Sequence, residues 1–384
     1  MKHLRHTLTA LVFTLSAALA TPAPAADTGL VMRDVYDAIA YLLPLSVRNS
    51  ETDTPWDREL IDAKLAVLNS ASQALVEHAK GQDTEFTLLA RSFDRLVGDI
   101  SASFREEWPD YAYYSLMELT DHCVACHSRL PSESQQLFGE RLVARMQIED
   151  IEPENRALLL VATRQFDTAL VLLEQRLLDP ALDPVEAEYR GIIVRYLRVA
   201  LSTATDLERV GDFIDDYAAR DDLPYYLKRR LAHWRSALTR HAGSLSGEPN
   251  LERARQVFDH ATKLTLAPGN RIRAVEDFIA ARLMRTYLVA HPDIDPAVRA
   301  ELYFKLAIVS LRTSEPEPAV PEMEMLLTAA IEADPSGPLA KEAYAMLEEY
   351  GYVHEEHLAR QLESRVLINM QALREKLGIA DDAP

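Results

Sequence analysis

The chain reads as all-α, and three observations predict it. Only 12 of its 384 residues are glycine. Apolar side chains recur at three- and four-residue spacing through most of its length, and no run alternates apolar with polar as a half-buried strand would. Proline-marked turns divide the helical pattern into four helices before Pro131 and a series of helix pairs beyond residue 150. The expected architecture is an N-terminal four-helix bundle followed by a helical-repeat domain, a length and division that suit two domains.

The opening MKHLRHTLTALVFTLSAALATPAPAAD has Lys2 and Arg5 at its start, an apolar run from Ala10 to Ala20, and the small-x-small pattern Ala23-Pro24-Ala25. Residues 1–26 are therefore expected to be a signal peptide, removed on export to the periplasm. An uncleaved N-terminal anchor is the competing reading. The run is too short to span a bilayer, and no other stretch approaches the roughly 20 apolar residues that a spanning helix needs, so no transmembrane segment is expected.

Lys and Arg number 41 against 60 Asp and Glu, a formal charge of −19, and residues 1–26 hold two of those cations and no acid. So acidic a chain is a poor nucleic-acid binder, because that task relies on cations to neutralise phosphates. The same charge favours solubility and steers basic partners toward the protein.

The first helix is predicted near Leu30–Leu43, with Val31, Val35, Ala38, Ile39 and Leu42 on one face and Pro44 ending or kinking it. The second opens at TPWD, with Thr54 as N-cap, Pro55 in the first helical position and Asp57 completing a capping-box-like pattern. Its stripe is Leu60, Ile61, Leu65, Leu68, Leu75 and Val76, and Gly81 marks its end. The third starts after Asp83 and repeats Phe86, Leu89, Phe93, Leu96, Val97, Ile100 and Phe104. Trp108-Pro109-Asp110 interrupts the pattern, and a fourth helix then carries YAYYSLMELTDHCVACHSRLP to Pro131.

That fourth helix holds the only two cysteines of the chain, in Cys123-Val124-Ala125-Cys126-His127. The spacing is that of c-type haem attachment. Two thiols three apart can form thioethers to the two vinyl groups of one haem, while the adjacent imidazole reaches the iron. On a helix Cys123 and His127 share a face. A thioredoxin-like redox pair would need a βαβ setting, a zinc site a second ligand pair, and a plain disulfide remains open in an oxidising compartment. One motif implies one covalent haem c, not a multi-haem wire. His122 lies too close along the same helix to reach the opposite haem face, and His78, near the end of the second helix, reads as a surface residue.

Helices that precede the motif, and a bundle that ends just after it, resemble the class II c-type cytochromes, the cytochrome c-prime group. The resemblance covers residues 27–135 and rests on Cys123, Cys126 and His127. It implies thioethers at Cys123 and Cys126 and a proximal iron ligand at His127. It also implies a distal side formed by the first helix, where the sixth position is either empty or filled by methionine. Met32 is the methionine on that helix and the candidate distal ligand, with apolar packing as its alternative. No arginine stands four residues before it, as one often does in the group. Arg129 is a candidate partner for a haem propionate, and Tyr111, Tyr113 and Tyr114 are candidates for the haem edge.

Residues 136–152 read as a connector. Over 153–376, LERARQVFDHATKLTLAPGN and the long run from Ala300 resemble tetratricopeptide-type units and RQFDTALVLLEQRLLDP matches them only loosely, with a nonrepetitive helical domain as the alternative reading. Ala330 and Pro335 stand five apart as in that repeat's second helix and closing turn, Ala340 and Ala343 restart the next helix, and Ala254, Phe258 and Ala261 match three repeat positions. The repeat's period is about 34 residues, and spacings in this chain are irregular. Such an array is expected to dock a protein through its concave face. Tyr225, Tyr226 and Trp234 are candidate contacts, with core packing the favoured reading for each. RTSEPEPAVPEME reads as a solvated Pro/Glu-rich loop, and 377–384 as a frayed acidic tail.

The functional expectation is an exported mono-haem c-type cytochrome in electron transfer, docked through its repeats to a redox protein, plausibly a basic one. The alternatives are a five-coordinate haem binding nitric oxide or carbon monoxide, and an assembly scaffold with a haem module. No nucleophile–base constellation or phosphate loop points to an enzyme. Class II bundles often pair as dimers, a contact the appended repeats could block or replace.

Overall fold

The computed structural model describes residues 28–47, 57–80, 84–105, 116, 119, 122, 151–203, 207–264, 271–313, 320–358 and 363–379. Among them every regular element is helical and no strand occurs. Among the described residues no helix is long and apolar enough to cross a membrane. The expected signal peptide lies outside the described residues.

Three long helices come first: α1 (Thr28–Val47), α2 (Arg58–Ala79) and α3 (Thr84–Arg105). Each packs on the next, burying the predicted stripes, with Ala38, Leu42, Leu68, Val97 and Ile100 fully enclosed. Two boundaries differ from expectation. α1 continues through Pro44 to Val47; proline forfeits one hydrogen bond to Ala40, and the helix ends within the following turn. α2 starts at Arg58, capped by Asp57, whose Oδ1 accepts from the Leu60 amide at 3.0 Å. An aspartate that can itself take an orphan amide serves as cap directly.

Beyond residue 151 follow α4 (Pro153–Ala162), α5 (Phe166–Leu178), the short α6 (Pro184–Tyr189) and α7 (Ile192–Thr203). Then come four helix pairs: α8 (Leu207–Ala218) with α9 (Tyr225–His241), α10 (Leu251–Lys263) with α11 (Ala274–Ala290), α12 (Pro296–Thr313) with α13 (Val320–Ala333), and α14 (Pro338–Leu358) with α15 (Glu363–Leu377). The pairs start 44, 45 and 42 residues apart. Regularity invisible in the residue matches is thus present in the helices, at a period longer than the 34 residues of the tetratricopeptide unit. The small positions read from sequence are where helices meet: Ala254, Ala261, Ala330 and Ala343 are fully buried.

Glu322 and Glu324, expected in a solvated loop, belong to the start of α13. Glu322 Oε1 accepts from Arg285 at 2.8 Å, Glu322 Oε2 from Ser310 at 3.0 Å, and Glu324 pairs with Arg95 of α3. Through that pair α13 packs on α3. One continuous apolar core consequently runs from Val31 of α1 to Leu373 of α15. The chain end is capped rather than frayed as far as Ile379. Gly378, at φ 62°, donates to Glu375, and Ile379 donates to Arg374, a Schellman closure that needs a left-handed residue at Gly378.

Candidate functional site

α2 and α3 are tied together by polar contacts between their facing sides. Asn69 Nδ2 donates to Ser101 Oγ at 2.6 Å and to the Leu65 carbonyl at 3.0 Å, while Ser72 Oγ donates to Asp94 Oδ1 at 2.7 Å. These partly buried polar ties fix the register of the two helices, since a slip would strand each group without its partner.

Leu116, Leu119 and His122 are helical and buried, at 3%, 0% and 6% exposure. Three-residue spacing puts them on one stripe. His122 Nε2 and Ser92 Oγ of α3 are hydrogen-bonded at 2.9 Å, and the imidazole tilts against the Phe93 ring at 6.5 Å. His122 is thereby committed to α3, a contact that the sequence did not foretell. Cys123, Cys126 and His127 follow immediately and lie outside the described residues, as do Tyr111, Tyr113, Tyr114 and Arg129.

Met32 lies on α1, half-buried and packed against the core. His78 corrects its surface assignment: it is half-buried, its ring edge-on to Phe86 at 6.3 Å. Among the described residues no group of three or more His, Cys, Asp or Glu side chains is gathered to hold a metal ion. The chemistry of the donor set fits a covalent haem, with two thiols and an imidazole in attachment spacing directly after a buried helical stretch.

Comparison with protein-family models, with curated proteins and with solved structures returns no match.

In the array, Trp234 is core, 1% exposed, and its Nε1 donates to the Arg271 carbonyl at 3.0 Å. Tyr225 and Tyr226 are not core: they stand 76% and 47% exposed at the start of α9. Leu227 and Leu231 take the buried face, leaving the two tyrosines to solvent. Arg229 lies over the Tyr225 ring at 6.0 Å and Arg230 over that of Tyr226 at 5.9 Å. Arg230 also pairs with Glu188, beside the exposed Tyr189. The result is an edge of tyrosine and arginine, the residue types that carry most binding energy in protein interfaces.

Sequence reasoning missed a buried acidic pair, Glu276 and Asp277, both 0% exposed in the first turn of α11. The signal was present as two adjacent acids inside the apolar run AVEDFIAA.

Proposed function

We propose that the protein is an exported, periplasmic mono-haem c-type cytochrome that transfers electrons, with its helical array docking a redox protein. In this reading α1, α2, α3 and the helix carrying Leu116, Leu119 and His122 make up a cytochrome c-prime-like four-helix bundle. The observation that carries the proposal is the single Cys-x-x-Cys-His, placed one residue after a buried histidine hydrogen-bonded to α3. Cys123 and Cys126 serve as thioether positions, His127 as the axial imidazole and Met32 as the candidate distal ligand. A haem bound there supplies a one-electron couple. The chain's own residues seat the attachment helix through Ser92 and His122, and exclude water with the apolar faces of α1 and α3.

The formal charge of −19 favours a basic partner. The exposed Tyr225 and Tyr226, backed by Arg229 and Arg230, offer that partner an aromatic contact edge. Haem staining of the denatured, exported protein tests the reading. Wild type is expected to retain colour after denaturation, and a Cys123→Ser/Cys126→Ser variant to lose it. A wild-type chain that takes up no covalent haem would sink the proposal.

A further inference from the structure

The buried carboxyl of Glu276 sits where α9, α10 and α11 converge, and its two oxygens have unequal surroundings. Oε1 is approached by His233 Nε2 of α9 at 3.2 Å and by an Arg240 guanidinium nitrogen of α9 at 3.4 Å. Oε2 is enclosed and has no hydrogen-bond partner. The same Arg240 nitrogen lies closer, at 3.0 Å, to His260 Nε2 of α10. A guanidinium can only donate, so His260 Nε2 accepts and that imidazole is neutral.

The neighbouring Asp277 is held differently. Its Oδ1 meets Arg312 of α12 at 3.4 Å, and its Oδ2, which like Glu276 Oε2 has no hydrogen-bond partner, lies 3.4 Å from the Arg273 guanidinium, so that each oxygen faces a cation. Asp277 is thus the better compensated of two adjacent buried acids. Also at the junction are Lys263 of α10, whose charge acts on His260, and His241, which is 8% exposed with its ring 6.4 Å from that of His260. An ionised Glu276 would place a second negative charge beside Asp277 with one oxygen bare, an expensive arrangement in a site closed to water.

We propose that the α9–α10–α11 junction is a proton-operated switch, in which loss of a proton from Glu276 draws the Arg240 guanidinium off His260 and onto the carboxylate. In the protonated state the carboxyl proton on Oε1 is donated to His233 Nε2, and Arg240 rests on His260. On ionisation the proton leaves to solvent, the neutral His233 takes the tautomer that carries its proton on Nε2 and donates to Oε1, and the shared guanidinium shortens its contact with Oε1 at the expense of His260. Arg240 is 42% exposed at its side chain, so it can move without opening the core.

The electrostatics agree with this geometry. Burial pushes Glu276 up to about 7, against the pull of Arg240. Burial and then Arg240 hold His233 and His260 below the ordinary imidazole range, so the imidazoles stay neutral while the carboxyl titrates. Burial likewise pushes Asp277 up, to about 6, but Arg312 and Arg273 oppose it from two sides.

Infrared difference spectra of the full-length protein between pH 5.5 and 8.5 test the switch. The protonated-carboxyl absorption is expected to disappear in two components in wild type, one with a midpoint near 7 and one near 6, and Glu276→Gln is expected to lose the component near 7 and keep that of Asp277. Hydrogen exchange across α9 and α11 should shift over the same window in wild type and stay at the acid-form rates in the variant. Arg240→Gln should raise the midpoint by about one pH unit, through loss of the nearby cation. A wild-type protein with no carboxyl titrating near 7, which needs no variant to establish, overturns the proposal. So does a Glu276→Gln variant that keeps that component.

Discussion

His122 Nε2 lies 2.9 Å from Ser92 Oγ, and the residue after His122 is the first cysteine of the chain. The contact ties His122 to α3 at a point one helical turn from Arg95, which pairs with Glu324 of α13. α3 therefore holds both His122, through Ser92, and α13, through Arg95.

Ser92→Ala removes a partner from a histidine that is 6% exposed. Losing one partner of a buried polar group costs about 1–3 kcal/mol. Urea unfolding of the variant is expected to show an unfolding free energy lowered by that amount, read as a lower midpoint with an unchanged slope. An unaltered midpoint would mean that the hydrogen bond contributes nothing to seating the segment.

Arg95 and Glu324 are expected to couple. Arg95→Glu and Glu324→Arg should each lower stability, and the double exchange should recover much of the loss, with an interaction energy of roughly 0.5–3 kcal/mol. The side chains are 40% and 14% exposed, which places the expected value toward the low end. A double-mutant cycle in thermal unfolding measures it. Strictly additive losses would show that α3 and α13 are held by apolar packing alone.

The pH dependence of stability should be a balance of opposed groups. Burial, reinforced by Arg240 and His260, pushes His241 down to about 4. The folded state then binds fewer protons at this site than the unfolded state between pH 4 and 6.5, so its contribution to stability is lost as pH falls through that window. Glu276 and Asp277 have raised values and act in the opposite sense: the folded state takes up their protons as pH falls from about 7, and gains stability. His241→Phe removes the first effect alone. At pH 5 the variant is expected to gain roughly 2 kcal/mol relative to its own comparison with wild type at pH 7. Denaturant melts at the two pH values check this, and an equal difference at both would contradict it.

Local periodicity made the first three helices legible, because Leu89, Phe93, Leu96, Val97 and Ile100 recur at the spacing of one helical face and one face is what the bundle buries. The haem reading rests on sequence alone, because thiol and imidazole chemistry demands a fixed spacing whatever the surroundings, and Cys123, Cys126 and His127 lie outside the described residues. What sequence could not supply was the distant partner. Glu322 and Glu324 lie in a Pro/Glu-rich stretch whose composition suggests solvent, yet Arg285 and Arg95 draw them into packed helices. Tyr225 and Tyr226 were favoured for the core by their apolar area, but Leu227 and Leu231 already fill the buried face of α9. Glu276 and Asp277 show the converse, acids that an apolar helix carries inward because three arginines from other turns are waiting there.

The central claim is the covalent haem, and the absorption spectrum of the exported protein tests it most directly. Oxidised and reduced samples are predicted to show a Soret band that survives denaturation and vanishes in Cys123→Ser/Cys126→Ser. Sharp low-spin bands that ignore carbon monoxide would make Met32→Leu the next variant and support electron transfer, whereas a carbon monoxide shift would favour gas binding instead. A colourless exported protein, folded and with both thiols intact, would contradict the account.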